Sequence, residues 1–220
     1  MIKSHTPSVV AVAEPFVGEH GMSRLQQCMD FGGGISNEGD GGKLWVMWKT
    51  NESIVVSCTT GQSITILAKE KDKQVAITFV YAKCSYLDRR KLWEDLSSMR
   101  TGNTHWIVMR DFNIIHNDGE RIGGRPRLNI AMGEFKDFID AVGLVEANYE
   151  GNMMSWCNGQ QGRVRSWARL DRTLVNGSFL LDFPRVLLSY LLRQSSDHSP
   201  LIVSLEQRNK SYGFIPFKFQ

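Results

Sequence analysis

Polar side chains that could carry hydrolytic chemistry stand beside apolar runs at three places in the chain. Asp111 and Asn113 follow one such run, Asp171 precedes a second, and His198 precedes a third. Each run predicts a buried strand, so the polar groups are expected at strand ends. Carboxylates and an imidazole gathered at strand ends can position a divalent cation and a water against a phosphoester. A turn or a surface pair would explain any one of these segments, but hardly all three.

Glu14 is a further candidate, because it stands directly after the apolar run 9–13 and before a proline. An exposed strand end would also explain it. As a ligand, its hard oxygen atoms suit Mg²⁺ or Mn²⁺ rather than zinc.

The neighbouring candidates suggest roles for protons and phosphate oxygens. In extended backbone, Asp111 and Asn113 would point to the same side. The aspartate could orient or deprotonate a water, and the asparagine could donate to a phosphate. His198 follows an aspartate, and an imidazolium held by a carboxylate is a ready donor to a pentavalent phosphorus. A histidine alone is more often structural.

Taken in order along the chain, the motifs resemble the endonuclease/exonuclease/phosphatase superfamily. This superfamily includes deoxyribonuclease I, the apurinic endonucleases and the endonuclease domains of LINE-type non-LTR retrotransposons. The sequence is most similar to the plant LINE-type branch, and the similarity covers roughly residues 9–206. The segments that carry it are Tyr81 to Trp93, Trp106 to Asn113, Phe135 to Leu144, Ser155 to Gly159, Arg169 to Asp171 and Ser196 to Pro200.

The resemblance implies an α+β fold of the deoxyribonuclease I-like kind. This is a four-layer sandwich of two packed, mainly antiparallel sheets flanked by helices. Residues 1–206 would form the domain, and the tail 207–220 resembles the junction to a reverse transcriptase in the parent element. DNA is the implied substrate, and Mg²⁺ or Mn²⁺ the implied cofactor.

The resemblance also implies a role for each site residue. Glu14 and Asp197 match metal or water-shell positions, and His198 is expected to pair with Asp171. Loop arginines suit backbone phosphates, although a solvated surface would explain each of them as well. The implied catalytic set is Tyr81, Asp111, Asn113, Asp171 and His198, and the implied substrate contacts are Ser155, Ser196, Arg121 and Arg125.

Two departures from the family pattern bear on activity. The family opens with a strand that carries Trp-Asn-x-Arg-Gly, but no asparagine precedes Asn37 here. The usual Gly-Asp-x-Asn is replaced by Arg110-Asp111-Phe112-Asn113. We therefore expect a fold without its first edge strand, and a truncated, domesticated or decaying copy of reduced activity.

Composition sets broad limits on the class of protein. A chain of 220 residues is long enough for one sizeable domain. Its formal net charge of +3 permits a polyanionic partner without requiring one. No apolar stretch approaches the ~20 residues that cross a bilayer, and no signal-peptide pattern opens the chain. The four cysteines are widely spaced, which favours reduced thiols. We expect an intracellular, nuclear protein that is neither secreted nor bound to a membrane.

Periodicity predicts the elements that position the candidates. Short spacers between β-rich runs favour an antiparallel meander over 44–81, and the glycine-rich stretch 32–42 is expected to be a loop. The predicted strands are 9–13, 44–48, 53–58, 63–68, 75–81 and 106–109, and the predicted helices are 21–31, 88–99 and 132–142.

Three functions remain open from the sequence. The first is a metal-dependent phosphodiesterase that nicks DNA. The second is a phosphatase of the same superfamily, acting on a small or lipid phosphate. The third is a folded remnant that binds nucleic acid without cutting, which the missing N-terminal asparagine favours and the otherwise intact set of site residues opposes.

Overall fold

The computed structural model describes residues 5–70, 72–99 and 104–205. The predicted tail 207–220 lies outside the described residues. The helices are α1 (Glu19–Met29), α2 (Tyr86–Ser98), α3 (Asn129–Val142) and α4 (Gly177–Asp182). The strands are β1 (Val9–Ala13), β2 (Gly33–Ser36), β3 (Leu44–Trp48), β4 (Ile54–Thr60), β5 (Ser63–Glu70), β6 (Lys73–Tyr81), β7 (His105–Asp111), β8 (Arg121–Ile122), β9 (Leu144–Glu146), β10 (Asn148–Glu150), β11 (Trp156–Cys157), β12 (Trp167–Ala168), β13 (Asp171–Asn176), β14 (Leu187–Tyr190) and β15 (Leu201–Ser204).

A six-stranded sheet in the order β4-β5-β6-β7-β13-β9 forms the centre of the fold. Its pairs are antiparallel except β6 and β7, which run parallel. Trp106 and Val108 of β7 point to one face, where α2 and α3 cover them, and Ile107 points to the other. The buried Trp106 donates its indole N–H to the Thr78 hydroxyl at 2.9 Å, so its polar atom is satisfied within the core.

Two three-stranded sheets cover the second face of the central sheet. One has the order β1-β3-β2 and the other β10-β14-β15. Leu44 and Val46 of β3 pack against Ile64 and Ile66 of the central sheet. Beyond this layer, α1 lies against β2. The predicted α+β architecture of packed, mainly antiparallel sheets flanked by helices is confirmed.

The second layer is open between its two sheets. Within the described residues β1 pairs only with β3, and β15 pairs only with β14. Ile77 and Met109 of the central sheet pack against both apolar clusters of this face and are themselves only half-buried. The facing edges β1 and β15 therefore leave backbone donors and acceptors that a further strand could pair.

Two predictions about local structure were wrong. The stretch 32–42 is not only a loop, since it contains β2, which pairs with β3. The predicted meander over 44–81 holds for β4, β5 and β6 alone, because β3 belongs to the other layer. The Leu44 and Val46 side chains of β3 are more fully buried between the layers than they would be at a sheet edge.

No helix of the described ranges is long and apolar enough to cross a membrane.

Candidate active site

The polar candidates meet at one end of the central sheet because of strand direction and register. β6 and β7 run parallel and end together, which places Tyr81 opposite Asp111. β13 runs antiparallel to β7 and begins opposite its end, which places Asp171 opposite Asp111 as well. The segment before β15 brings His198 to the same end, where it forms an isolated bridge with Trp156.

Asp111, Asp171 and His198 form a compact cluster. His198 Nδ1 lies 2.7 Å from Asp171 Oδ2, and His198 Nε2 lies 3.7 Å from Asp111 Oδ2. Both carboxyl side chains are almost wholly buried, at 2% and 0% exposed. The contact between His198 and Asp171 that the resemblance implies is therefore present.

The two buried carboxyls differ in proton affinity because His198 hydrogen-bonds only one of them. Desolvation, together with the charge of Asp171, raises the pKa of Asp111 to about 7. Asp171 is buried as deeply, but its hydrogen bond to His198 and the charges of His198 and Arg110 keep its pKa below the ordinary value. Burial lowers the pKa of His198, but the hydrogen bond and charge of Asp171 outweigh it, and the pKa is raised. One carboxyl can thus take up a proton near neutral pH while the other holds the imidazole.

Hydrogen bonds with two serines fix the backbone around Asp171 and His198. Ser155 Oγ accepts from the N–H groups of Leu170 and Asp171, both at 3.1 Å. The Ser155 carbonyl accepts from Ser199 N–H at 2.7 Å. Ser196 Oγ accepts from His198 N–H at 3.1 Å. Ser155 and Ser196, predicted as substrate contacts, therefore hold the backbone beside the cluster.

Glu14 joins the site through Tyr81. The Tyr81 hydroxyl donates to Glu14 Oε1 at 2.5 Å, and Lys43 Nζ lies 3.9 Å from the same oxygen. Burial and the Glu14 hydrogen bond raise the pKa of Tyr81, so its hydroxyl keeps its proton. Glu14 is 40% exposed at the side chain, which leaves it open to a ligand from solvent.

Asn113 contacts Asp111 with a backbone conformation that the sequence did not predict. Its φ of 53° is left-handed rather than extended. The Asn113 N–H donates to Asp111 Oδ1 at 2.8 Å, and its Nδ2 donates to the Ala82 carbonyl at 2.7 Å and to Asp111 Oδ2 at 3.3 Å. The extended geometry proposed for this pair was wrong, although the two side chains are in contact.

Asp197 lies next to His198 in sequence, and its carboxylate makes hydrogen bonds outside the buried cluster. Its Oδ2 accepts from the Trp156 indole N–H at 3.0 Å, and its Oδ1 lies 3.5 Å from the Ser196 hydroxyl. It is not part of the buried cluster of Asp111, Asp171 and His198.

Comparison with known proteins adds evidence about the fold. No protein-family model matches the chain, and no curated protein sequence matches it. Among solved structures, it is similar to the endonuclease domain of TRAS1, a telomere-specific non-LTR retrotransposon, with a TM-score of 0.69 and 15% identity over 94% of this chain and 90% of that one. The 3′ phosphatase NExo from Neisseria, bound to a product DNA hairpin, gives a TM-score of 0.69 and 14% identity over 93% and 91%.

A third solved structure is TDP2 from D. rerio, complexed with a single-strand DNA product. Its TM-score is 0.60 at 13% identity, over 92% of this chain and 87% of that one. At these identities the similarity is one of fold. The chain has the deoxyribonuclease I-like fold.

Within this fold the predicted arginines behave differently. Arg121 is tied to its own loop, since its Nε donates to Asp118 Oδ1 at 2.7 Å and its Nη1 to the Gly123 carbonyl at 3.0 Å. Arg125 is exposed in the same loop. Two further guanidinium groups lie over the Trp167 ring. That of Arg165 is 4.8 Å from the ring centroid, and that of Arg193 is 4.4 Å from it. This surface is basic, and it adjoins the segment that contains His198.

A buried ion network lies behind Asp171, and the sequence did not reveal it. Arg172 donates through both terminal nitrogens to Glu120, and its Nη1 also lies 3.2 Å from Glu146 Oε1. Arg169 Nη2 lies 2.5 Å from Glu146 Oε1. Its Nε donates to Tyr190 Oη, which in turn donates to the Asp171 carbonyl at 2.7 Å. The sequence did offer one signal of this network. Arg172 stands within a buried strand, and a buried guanidinium requires an acidic partner.

The donor set fits a hard divalent cation. The ligand atoms of Asp111, Asp171 and His198 lie within 4.8 Å of one another. Asp171 Oδ1 is buried and has no hydrogen-bond partner within the described residues. Glu14 has one oxygen engaged by Tyr81. Carboxylate oxygens at such positions match the preference of Mg²⁺ and Mn²⁺.

Proposed function

We propose that this chain is a divalent-metal-dependent phosphodiesterase that nicks DNA, derived from a LINE-type retrotransposon of the plant branch. The observation that carries the proposal is the pairing of His198 with buried Asp171, directly beside a second buried carboxyl at Asp111. Two carboxyls with separated pKa values and an oriented imidazole can move protons on both sides of a phosphorus centre.

Each residue has a distinct proposed task. Asp111, with a pKa of about 7, accepts a proton from the attacking water. Asp171 holds His198 with Nε2 facing the site, so that a protonated imidazole donates to a non-bridging phosphate oxygen. Tyr81 fixes Glu14, and Asn113 fixes the Asp111 carboxylate.

Glu14 is the proposed ligand of Mg²⁺ or Mn²⁺, and Asp197 is proposed to complete the metal or water shell. When bound, the cation supplies neutralisation of the charge that develops on phosphate. DNA as the substrate is supported by the exposed Arg125 and by the arginines around Trp167, which suit backbone phosphates.

A DNA-nicking role implies a nuclear site of action. Descent from a LINE-type retrotransposon implies a reverse transcriptase domain as the ancestral partner.

The test is a nicking assay on supercoiled plasmid DNA. We expect nicks with Mg²⁺ or Mn²⁺, none with excess chelator, and no restoration by Zn²⁺. His198→Ala should silence the reaction, whereas Arg90→Met, which breaks the surface ion pair with Glu134 and the contact with the Tyr86 ring, should leave it unchanged. Full nicking in excess chelator would rule out the metal requirement.

A second proposal is that activity is reduced relative to an intact domain. It is supported by the open edges of β1 and β15, which flank the site, since Glu14 follows one strand and His198 precedes the other. A folded protein that binds DNA but does not nick it under any of these conditions would show that the remnant reading is correct.

A further inference from the structure

Arg110 stands in β7 with a backbone conformation that an L-residue rarely adopts. Its φ is +99°, in the region that favours glycine. Such strain persists where the surrounding structure imposes it, and it gathers at functional sites. Here Arg110 is held between two strands, because it is paired with Val80 of β6 and with Arg172 of β13.

The Arg110 guanidinium lies at the edge of the buried cluster but is not hydrogen-bonded to Asp171. Its Nη1 is 3.9 Å from Asp171 Oδ1, which is within ion-pair range but beyond a hydrogen bond. Arg110 Nε and Asp171 Oδ1 are both buried without a hydrogen-bond partner in the described part of the chain. The side chain remains 22% exposed. The guanidinium thus lies beside Asp171 with its Nε unpaired among the described residues and with part of the side chain open to solvent.

The other predicted phosphate donors are already engaged. Asn113 Nδ2 donates to Ala82 and to Asp111, and the Tyr81 hydroxyl donates to Glu14. Among the described residues around the buried cluster, this leaves His198 Nε2 and the Arg110 guanidinium to meet a phosphate. Arginine is well suited to this task, because its fork matches two oxygens of a phosphate.

We infer that Arg110 is a phosphate-binding residue that shifts this site toward terminal phosphomonoesters, such as a 3′-phosphate on DNA, over internal phosphodiesters. The inference rests on the proposed function, since it concerns the same site. An internal phosphodiester offers two non-bridging oxygens and one negative charge, whereas a terminal phosphate offers three such oxygens and up to two charges. A second cationic donor beside His198 adds most to binding the group that has the extra oxygen and charge.

The first measurement is phosphate binding without metal or turnover. Inorganic phosphate is titrated in excess chelator, and the rise in melting temperature gives an apparent affinity. We expect Arg110→Met to weaken this affinity at least ~10-fold and Arg110→Lys to weaken it less, since lysine keeps the charge but loses the fork. Both variants keep a non-glycine residue at the strained position. Arg90→Met is the matched control, and it should bind phosphate as the native chain does.

The second measurement is selectivity in the presence of Mg²⁺. The rate of 3′-phosphate removal from a DNA duplex is divided by the rate of plasmid nicking. We expect this ratio to fall at least ~10-fold in Arg110→Met and to stay constant in Arg90→Met. An unchanged ratio would overturn the preference, and unchanged phosphate affinity would overturn the binding role.

The two proposals fail in distinguishable ways. If neither substrate is cleaved by the native chain, the proposed function and the preference are both wrong. The titration in chelator still decides whether Arg110 binds phosphate, because it requires no catalysis.

Discussion

Tyr81 and Glu14 are joined by a hydrogen bond of 2.5 Å although they lie 67 residues apart in sequence. The contact links the end of β6 in the central sheet to the residue after β1 in the second layer. Tyr81 in turn stands opposite Asp111 in the sheet register, so the bond ties the Glu14 carboxylate to the strand end that carries the cluster. It acts together with Lys43, whose carbonyl accepts from Glu14 N–H and whose Nζ lies near the same carboxylate oxygen.

Tyr81→Phe should loosen Glu14 while leaving the ring in place. Loss of a residue that orients a ligand commonly costs ~10–100-fold in metal affinity. We expect the Mg²⁺ concentration for half-maximal nicking, and for half-maximal thermal stabilisation, to rise by that factor. Tyr149→Phe is the control, since the partner of its hydroxyl in the described part of the chain is the Met153 sulfur, at 3.6 Å. Equal Mg²⁺ dependence in the two variants would contradict the assignment of Tyr81 as the residue that orients Glu14.

Asp111 should make the metal-free protein less stable as the pH rises toward neutrality. Its folded pKa, about 7, is raised above the ordinary value of 3.8 for an aspartate. Its stabilising contribution is therefore complete below the unfolded pKa and is lost as pH rises through the folded pKa. Between about pH 4 and 7 in chelator, the unfolding free energy should fall more in the native chain than in Asp111→Asn. Parallel pH profiles from chemical denaturation would show that the carboxyl is not perturbed.

Glu120→Gln should cost more stability than an equivalent change on the surface. It removes the charge that compensates Arg172, whose side chain is 0% exposed. Breaking one partner of a buried ion pair commonly costs ~3–5 kcal/mol. Glu134→Gln, which breaks the exposed pair with Arg90, should cost ~0–1 kcal/mol. Urea denaturation measures both, and similar losses would mean that the buried network is not strongly coupled.

An added N-terminal strand should pair with the open edges of β1 and β15. We expect a strand ending in Trp-Asn-x-Arg-Gly, fused ahead of β1, to raise the melting temperature and to raise the nicking rate by ~10–100-fold. The same extension with its asparagine replaced by alanine should keep the gain in stability and lose most of the gain in rate. If the native chain nicks as fast as the extended one, the proposal of reduced activity is wrong.

Sequence patterns located most of the core strands because burial imposes a visible period. The apolar run Val9–Ala13 marks β1 to the residue. The missed strand β2 has no such signal, since it opens with Gly33 and Gly34. Its glycines follow from packing: a Cβ on Gly33 would lie 2.2 Å from the Trp48 indole nitrogen. Only the fold, and not the local sequence, makes this segment a strand.

The candidate site was likewise predictable from the sequence only in part. The motif resemblance implied the contact between His198 and Asp171, which is present at 2.7 Å. The left-handed conformations of Arg110 and Asn113 could not be foreseen, because no β propensity of either residue favours them. The partnership of Glu120 with Arg172 spans 52 residues and leaves no pattern along the chain. The catalytic roles themselves stay predictions.

The position of β13 constrains how the protein is made. This strand lies between β7 and β9 in the sheet, although both of its neighbours are synthesised before it. A nascent chain released from the ribosome only as far as β9 therefore lacks the strand that joins β7 to β9, and it also lacks Asp171. His198 emerges still later. The cluster of Asp111, Asp171 and His198 therefore cannot assemble until the chain has been synthesised past His198.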